Sequence, residues 1–383
     1  MRRILKRFTG LFCVLALCLS MLPVSALAAE DAPSNQPTTL LSDDNVAKIE
    51  ENEYPTLDEA VNAAEDGATI ELLADATTKG WNLTKSLTIT SAPDLAEKPT
   101  VTFEKDGIAL WGKTLTFKGI DVVMNGVGST PYGEWTWMTI CASKDAVLAL
   151  DNVNMTMDAT GSTGSPHAIY FCSNNKLNLT NGSVLTIKNY PNDALEWDGG
   201  DGGYNVNITN STFISDHNRS GFTGTFYATI TNSKVDVVNN LGNGSNGSHF
   251  IIEDSEVNFN NNGSHGLSAG ELSIDNSTVN TKNNNGMGIT VNNAFTVENG
   301  SIVTVTGNAG NSSYGYAAVR LYNDYPFTVD STSELYIEDN NNTGLYVRQG
   351  NLTVEDGAVL KITGNKVSHS LLDGYGGGIY VGY

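Results

Sequence analysis

The chain has 383 residues, a formal charge of −21 at pH 7 and only 16% charged residues. With 42 acidic and 21 basic residues, it repels nucleic-acid phosphates and anionic lipid, so neither is expected as a partner. Four cysteines in a chain of this length exclude a disulfide-rich framework. The fold therefore has to rest on an apolar core and on backbone hydrogen bonds.

The first 28 residues are typical of a secretory signal peptide. Four basic residues precede an apolar run at residues 11–22, and the small-residue site Ala26-Leu27-Ala28 follows. The run is shorter than the roughly 20 residues of a membrane-spanning helix, so we expect cleavage after Ala28 and no transmembrane segment in the mature chain. The protein is expected to be secreted and extracellular, or associated with a cell surface, with a formal charge of −25 after cleavage.

Two short segments separate the signal peptide from the rest of the chain. Residues 29–52 are rich in Ser, Asn, Asp and Pro without apolar periodicity, which predicts a flexible linker. Residues 53–68 have a capping-box spacing from Thr56 to Glu59 and an apolar face of helical period, which predicts a short amphipathic helix. Because the first coil of a β-array has an unpaired edge, we expect this helix to cap it.

From residue 69 to residue 383 the chain alternates with a strand period and repeats itself. The segments that begin at Ile208, Ile230, Ile252 and Ile274 recur every 22 residues, which predicts a stacked array of coils. Three short strands in each repeat predict a solenoid of triangular section with about 11 or 12 coils. The last strand has no capping segment after it, which indicates either a truncated chain or a partner at the open edge.

Asparagine recurs at one corner of the predicted coils. A tight bend there favours left-handed backbone angles, which asparagine tolerates. Stacked amides are expected to hydrogen-bond from coil to coil as a ladder. Many of these positions also match glycosylation sequons, but we interpret them as structural. They are Asn239, Asn240, Asn260 to Asn262, Asn283 to Asn285, Asn308, Asn340 to Asn342 and Asn365.

These features resemble the right-handed parallel β-helix, or pectin-lyase-like, repeat proteins. The segment Tyr54-Pro55-Thr56-Leu57-Asp58-Glu59-Ala60, with Ala64, Gly67 and Ile70 after it, is similar to the start of secreted surface proteins of Gram-positive gut-type bacteria. The resemblance implies an all-β, right-handed parallel β-helix with a short N-terminal capping helix. It leaves the activity open, because this superfamily includes lyases, hydrolases, adhesins and structural stalks.

Charged side chains gather where the repeat lengthens, between residues 190 and 222. Insertions in a solenoid collect on one side and build sites, and adjacent strands are about 4.8 Å apart, so side chains of neighbouring coils can share a patch. Oxygen-rich clusters bind calcium, and an acid–base pair could cleave a glycoside or support lyase chemistry. A solvated acidic corner is the alternative. The candidate catalytic residues are Glu196, Asp198, His217 and Arg219, and the candidate calcium ligands are Asp193, Glu196, Asp198 and Asp201.

Aromatic side chains on the outward side of the third strands suit sugar stacking and protein recognition. Strand alternation predicts that Tyr170, Tyr322, Tyr346 and Tyr380 face solvent. Tyrosine is also common on exposed strands for structural reasons alone. The candidate binding residues are Tyr170, Tyr190, Asp193, Tyr204, Arg320 and Tyr346.

Two cysteines remain in the mature chain. Cys141 and Cys172 end third strands of adjacent coils, at a separation that permits a disulfide. In a secreted protein we expect them to pair.

The sequence therefore predicts a secreted, monomeric β-solenoid that acts as a binding, adhesive or structural stalk toward a polysaccharide or another surface protein. The alternative is a polysaccharide lyase or glycoside hydrolase. No cofactor is certain from the sequence, and calcium is the one candidate. The two hypotheses differ in whether the side chains of Glu196, His217 and Arg219, together with Asp198, converge in a groove.

Overall fold

The computed structural model describes residues 45–128, 137–172, 174–197, 203–309, 317–366 and 377–381. These residues belong to one compact unit, Asp43–Tyr383. The regular elements among them are 37 strands and one helix, which confirms the all-β parallel solenoid. No helix in the described part of the chain is long and apolar enough to cross a membrane. The predicted signal peptide lies outside the described residues.

Each coil consists of a first strand, a sharp corner, a second strand, an asparagine corner and a third strand, in the predicted order. The strands of the first sheet pair in parallel from coil to coil. Their bounds are Ala68–Leu72, Leu87–Ser91, Thr114–Lys118, Val147–Asp151, Lys176–Thr180, Tyr204–Thr209, Phe226–Thr231, Ser248–Glu253, Leu267–Asp275, Phe295–Glu298, Phe327–Val329 and Leu352–Val354.

The second sheet is a parallel stack of twelve strands. Its neighbours pair in register over most of their length. Their bounds are Ala76–Thr78, Thr100–Phe103, Asp121–Asn125, Asn154–Asp158, Val184–Lys188, Thr212–Asp216, Lys234–Val238, Glu256–Asn260, Thr278–Lys282, Ile302–Thr306, Glu334–Glu338 and Val359–Thr363.

The third sheet begins as a separate stack of seven strands. The nine-residue strand Leu267–Asp275 runs from the third face into the first without a break, so the later third strands join the first sheet. The bounds are Trp81–Leu83, Ile108–Trp111, Met138–Ser143, His167–Cys172, Leu195–Trp197, Phe222–Thr223 and Ser245–Asn246, then Ile289–Val291, Ala317–Leu321, Thr343–Val347 and Ile379–Val381.

The core fills the interior of the solenoid, because side chains alternate between inside and outside along each strand. The five residues that the repeat predicts to point inward in one coil are all buried, with exposed fractions of 3% or less: Leu272, Ile274, Val279, Met287 and Ile289. This agreement fixes which side chains of each strand face outward.

A ladder of buried asparagine amides runs along the corner between the second and third strands, as predicted. The Nδ2 group of Asn240 donates to Oδ1 of Asn262 at 3.0 Å, and Asn262 donates to Asn284 at 3.0 Å. The ladder continues in the same way through Asn308, Asn340 and Asn365. The residue before each ladder asparagine has a left-handed backbone, with φ of 55° at Asn239 and 58° at Asn261.

Glycine beside the ladder makes room for it at the start of the third strands. A Cβ atom on Gly266 would lie 2.6 Å from Nδ2 of Asn284, and one on Gly288 would lie 2.8 Å from Nδ2 of Asn308. Both distances are too short for a carbon atom beside a buried amide. The repeated glycines are therefore a consequence of the ladder.

A second ladder, of serine hydroxyls, occupies the corner between the first and second strands. The backbone N–H of Ser233 donates to Oγ of Ser255 at 3.0 Å, and that of Ser255 donates to Oγ of Ser277 at 2.9 Å. Each hydroxyl also donates within its own corner, as Ser233 does to the carbonyl of Thr231 at 2.7 Å. This ladder explains why a serine lies three residues after the isoleucine that begins each repeated segment.

The N-terminal helix begins with Thr56 as its N-cap, since Oγ1 of Thr56 accepts from the backbone N–H of Glu59 at 3.2 Å. It spans Leu57–Ala63 and buries Leu57, Ala60 and Val61. The carboxylate of Asp58 accepts from the indole of Trp81 at 3.0 Å, which ties the helix to the first coil.

The predicted flexible linker was wrong over its last residues. The segments Ala47–Ile49 and Asn52–Tyr54 form an antiparallel hairpin, and Ala47 also pairs with Leu72 of the first coil. The polar composition of residues 29–52 gives no sign of this pairing, because only Ala47 among the hairpin residues is fully buried. The hairpin is held mainly by backbone hydrogen bonds. Residues 29–44 lie outside the described part of the chain.

Candidate functional site

One row of side chains on the outer face of the third strands runs from coil to coil. The strand register places Tyr170 opposite Glu196, and Glu196 opposite Thr223. Toward the other end it places Arg320 opposite Tyr346, and Tyr346 opposite Tyr380. We call this row the outer line. It consists of Tyr170, Glu196, Thr223, Asn246, Ser268, Thr290, Arg320, Tyr346 and Tyr380.

At one end of the outer line, an imidazole and two carboxylates converge. The Nδ1 atom of His167 contacts Oε2 of Glu196 and lies 4.0 Å from Oδ2 of Asp193. The side chains of His167, Asp193 and Glu196 are 7%, 5% and 19% exposed. We call these three residues the histidine–carboxylate cluster.

Burial and charge act strongly on this cluster. Burial raises the pKa of Asp193, and the neighbouring Glu196 carboxylate raises it further. A hydrogen bond with Ser220, the nearby imidazole of His167 and the positive charge of Arg219 oppose this rise in the pKa. A second cation near the two carboxylates would relieve their repulsion.

Aromatic rings surround the imidazole on the outer face. The ring centroid of His167 lies 5.8 Å from that of Trp137 and 6.1 Å from that of Tyr170. Tyr170 packs with Met138 and Cys141 in a small apolar group and is only 1% exposed. The prediction that Tyr170 faces solvent was therefore wrong. Its position on the strand is outward, but the ring of Trp137 packs against it, with the two ring centroids 5.5 Å apart.

The predicted catalytic set does not assemble as a group. His217 is 59% exposed and contacts Oδ1 of Asp216 at 2.7 Å, at the corner ahead of the third strand. Arg219 is also exposed, although it lies close enough to affect the pKa of Asp193. Glu196 instead joins His167 and Asp193. Asp198 and Asp201 lie outside the described residues.

His167 was not identified from the sequence, because its place beside Asp193 follows from the strand register. Ile169 pairs with Leu195, and the same offset brings His167 opposite Asp193. The backbone N–H of Ala168 donates to the carbonyl of Asp193 at 3.1 Å, as this register requires. The spacing of this coil departs from 22 residues, so counting by the regular repeat does not reveal the pair.

Two predicted binding tyrosines belong to the core. Tyr190 is 1% exposed and Tyr204 is fully buried. The ring of Tyr204 stacks on Phe171 at 4.6 Å, and burial, followed by the carboxylates of Glu196 and Asp193, raises its pKa well above the usual value. Both predictions were wrong, because alternation turns these side chains inward at the start of a strand and at a corner.

At the other end of the outer line, an arginine lies among half-buried tyrosines. Two of these residues, Arg320 and Tyr346, are candidate binding residues from the sequence. The guanidinium carbon of Arg320 lies 3.9 Å from the ring centroid of Tyr322 and 5.4 Å from that of Tyr346. The rings of Tyr346 and Tyr380 stack at 5.2 Å with an interplanar angle of 9°. We call Arg320, Tyr322, Tyr346 and Tyr380 the arginine–tyrosine cluster.

No disulfide joins Cys141 and Cys172, which are both thiols in the structure. The register pairs Cys141 with Tyr170, and Cys172 with Ser143, so the two cysteines are offset by two residues. Strand spacing and rise place their Cα atoms about 8 Å apart, beyond the reach of a disulfide. A hydrogen bond with Cys172, together with burial, raises the pKa of the Cys141 thiol.

Among the described residues, one group of three or more His, Cys, Asp or Glu side chains has the geometry to hold a metal ion. It is the histidine–carboxylate cluster, whose three potential ligand atoms lie within 4.8 Å of one another. It includes Asp193 and Glu196 from the predicted calcium set. The imidazole of His167 changes the donor chemistry, because calcium prefers oxygen ligands throughout.

Comparison with known proteins carries no argument about family or activity. No protein-family model matches the chain, and no curated protein matches it. Among solved structures, the periplasmic alginate epimerase AlgG is similar over 82% of this chain and 78% of that chain, with 10% sequence identity and a TM-score of 0.32. A similarity this weak carries no argument about activity, so function has to be argued from the side chains.

Proposed function

We propose that the protein is an extracellular solenoid that binds a carbohydrate chain along the outer line. The observation that carries this proposal is the outer line itself. It is a row of polar and aromatic side chains that repeats at the strand spacing over successive coils and ends in the arginine–tyrosine cluster. A repeating row of this kind suits a repeating, linear ligand better than a compact one.

The chemistry of the outer line suits sugar hydroxyls. The side chains of Thr223, Asn246 and Ser268 offer hydroxyl and amide groups that both donate and accept, and none of the three is buried. The half-buried rings of Tyr346 and Tyr380 offer apolar edges and hydroxyls, a combination common in recognition surfaces. The planar donors of Arg320 suit a sugar hydroxyl or a uronate carboxylate.

An enzymatic function is less well supported by the geometry. Asp193 has a raised pKa, which suits a general acid. Its side chain, however, is only 5% exposed, and that of His167 is 7% exposed. A glycosidic oxygen would have to come within hydrogen-bond distance of such an acid, and this burial holds the acid back from a polymer bound on the surface.

The proposal is tested by glycan-array binding of the untagged mature protein, followed by affinity measurements on any glycan retained. We expect Arg320→Ala to weaken binding at least about tenfold, as truncation of a central arginine contact commonly does. Lys361→Ala is a matched control. Lys361 also lies over a tyrosine ring, with its Nζ 6.0 Å from the centroid of Tyr336, but on the second sheet.

The control variant should bind like the wild type. Equal losses in the two variants, or no glycan retained by the wild type, would refute the proposal. Release of shortened or unsaturated products from a bound glycan would replace it with the enzymatic alternative.

A further inference from the structure

Three buried polar atoms of the histidine–carboxylate cluster have no hydrogen-bond partner among the described residues. They are Nδ1 of His167, Oδ1 of Asp193 and Oε2 of Glu196. Leaving a buried polar group unpaired costs about 1–3 kcal/mol, and more for a charged group. Nδ1 of His167 and Oε2 of Glu196 contact only each other at close range, and Oδ1 of Asp193 has no partner among the described residues. No described group outside the cluster satisfies the three atoms, which indicates that a further species belongs between them.

A cation meets this requirement better than a water molecule. The cluster places the carboxylates of Asp193 and Glu196 beside one imidazole, and like charges this close repel each other. A water molecule would satisfy hydrogen bonds without neutralising charge. A divalent ion would do both, and buried charges are usually either ion-paired or bound to a metal.

We propose that His167, Asp193 and Glu196 bind a divalent transition-metal ion, with zinc as the best match. One imidazole nitrogen and two carboxylate oxygens are a donor set that zinc accepts, whereas calcium and magnesium take oxygen ligands. The site goes beyond the proposed carbohydrate binding and does not rest on it.

The geometry requires only small side-chain movements. Ligand atoms about 2.1 Å from a tetrahedral ion lie about 3.4 Å from one another. The three atoms already lie within 4.8 Å of one another. A rotation that parts Nδ1 of His167 from Oε2 of Glu196 and moves Asp193 inward therefore completes the set. Three protein ligands leave a fourth position for water or another ligand.

The surrounding residues hold the ligands in place and leave a route to the ion. Asp193 has a hydrogen bond with Ser220, and groups that bond to ligands orient them for the metal. The backbone N–H of His167 donates to the carbonyl of Trp137 at 2.7 Å, which fixes the start of its strand. Glu196 is 19% exposed and gives the ion its route from solvent.

The test is metal binding by the untagged mature protein after removal of metal with a chelator. Isothermal titration with zinc chloride should give one ion per chain, and cobalt(II) should give visible d–d absorption bands typical of a protein-bound site. Glu196→Gln and His167→Gln should each weaken zinc binding at least about 100-fold and abolish the cobalt bands.

Control measurements separate this site from adventitious binding. His217→Gln removes an exposed imidazole that also contacts a carboxylate, that of Asp216, and should bind zinc as the wild type does. Circular dichroism must show that His167→Gln and Glu196→Gln remain folded. Zinc binding that survives in both variants, or is lost equally in His217→Gln, would overturn the proposal. So would calcium binding as tight as zinc binding and insensitive to His167→Gln.

Discussion

Removing one rung of the asparagine ladder should destabilise the solenoid far more than removing an exposed asparagine of the same corner. Asn262 is 1% exposed, and its Oδ1 accepts from the backbone N–H of Asn240 at 3.1 Å and from Nδ2 of Asn240 at 3.0 Å. Its Nδ2 donates to the carbonyl of Val237 at 3.1 Å. Asn262→Ala leaves these groups buried without their partner.

We expect Asn262→Ala to lower the free energy of unfolding by about 3–5 kcal/mol, since each buried polar group left unpaired costs about 1–3 kcal/mol. The Nδ2 group of Asn240 is not left fully unpaired, because it keeps a long hydrogen bond to the carbonyl of Ser215. Asn285→Ala is the control, because Asn285 is exposed and its bond to the carbonyl of Asn262 comes from the backbone. That control should change the free energy of unfolding by no more than about 0.5 kcal/mol.

Urea denaturation followed by far-UV circular dichroism measures both variants. Hydrogen exchange adds a local readout, because loss of one rung should deprotect the coils on either side of residue 262 before distant ones. Equal stability of the two variants would refute this prediction, since the ladder would then contribute no more than a surface amide.

Two further predictions concern a corner carboxylate and the thiols. Burial raises the pKa of Asp158, but hydrogen bonds from Asn189 and Thr160 outweigh it and lower the pKa to about 2. Because this pKa lies below that of the unfolded chain, the carboxylate stabilises the fold above about pH 4 and loses this contribution as the pH falls toward 2. Asp158→Asn should be about 1–2 kcal/mol less stable than the wild type at pH 7 and similar to it near pH 2 in thermal melts; a deficit independent of pH would contradict this. Alkylation of the native protein followed by mass spectrometry should count two thiols and modify Cys172 before Cys141, because Cys141 is 2% exposed and its pKa is raised by the hydrogen bond with Cys172 and by burial; recovery of a disulfide would contradict the structure.

The fold could be predicted almost entirely from the sequence. A fixed repeat with strand alternation determines which side chains enter the core, as the burial of Leu272, Ile274 and Val279 shows. The asparagine ladder could be predicted too, because asparagine tolerates the left-handed backbone angles of a tight corner and its amide can hydrogen-bond to an amide of the next coil. The serine ladder was present in the repeated segments, but a single serine has too many possible roles for its position to reveal a hydrogen-bond pattern.

The candidate site could be predicted only in part, because it lies where the repeat is irregular. Asp193 and Glu196 attract attention as charges on or beside a third strand. Finding His167 requires the register across coils of unequal length, which sequence periodicity does not supply. The burial of Tyr170 depends on the ring of Trp137, which packs against it. Strand alternation predicts which face a side chain is on, but it does not predict a contact between two side chains of the outer face.

The proposed binding of carbohydrate along the outer line can be tested by locating a bound sugar. The measurement is a crystal structure of the protein soaked with an oligosaccharide that it retains on an array. We predict sugar rings along the outer line between Asn246 and Tyr346, with a polar contact to Arg320. Sugar bound to the first or second sheet, or a cleaved product held at the histidine–carboxylate cluster, would contradict it.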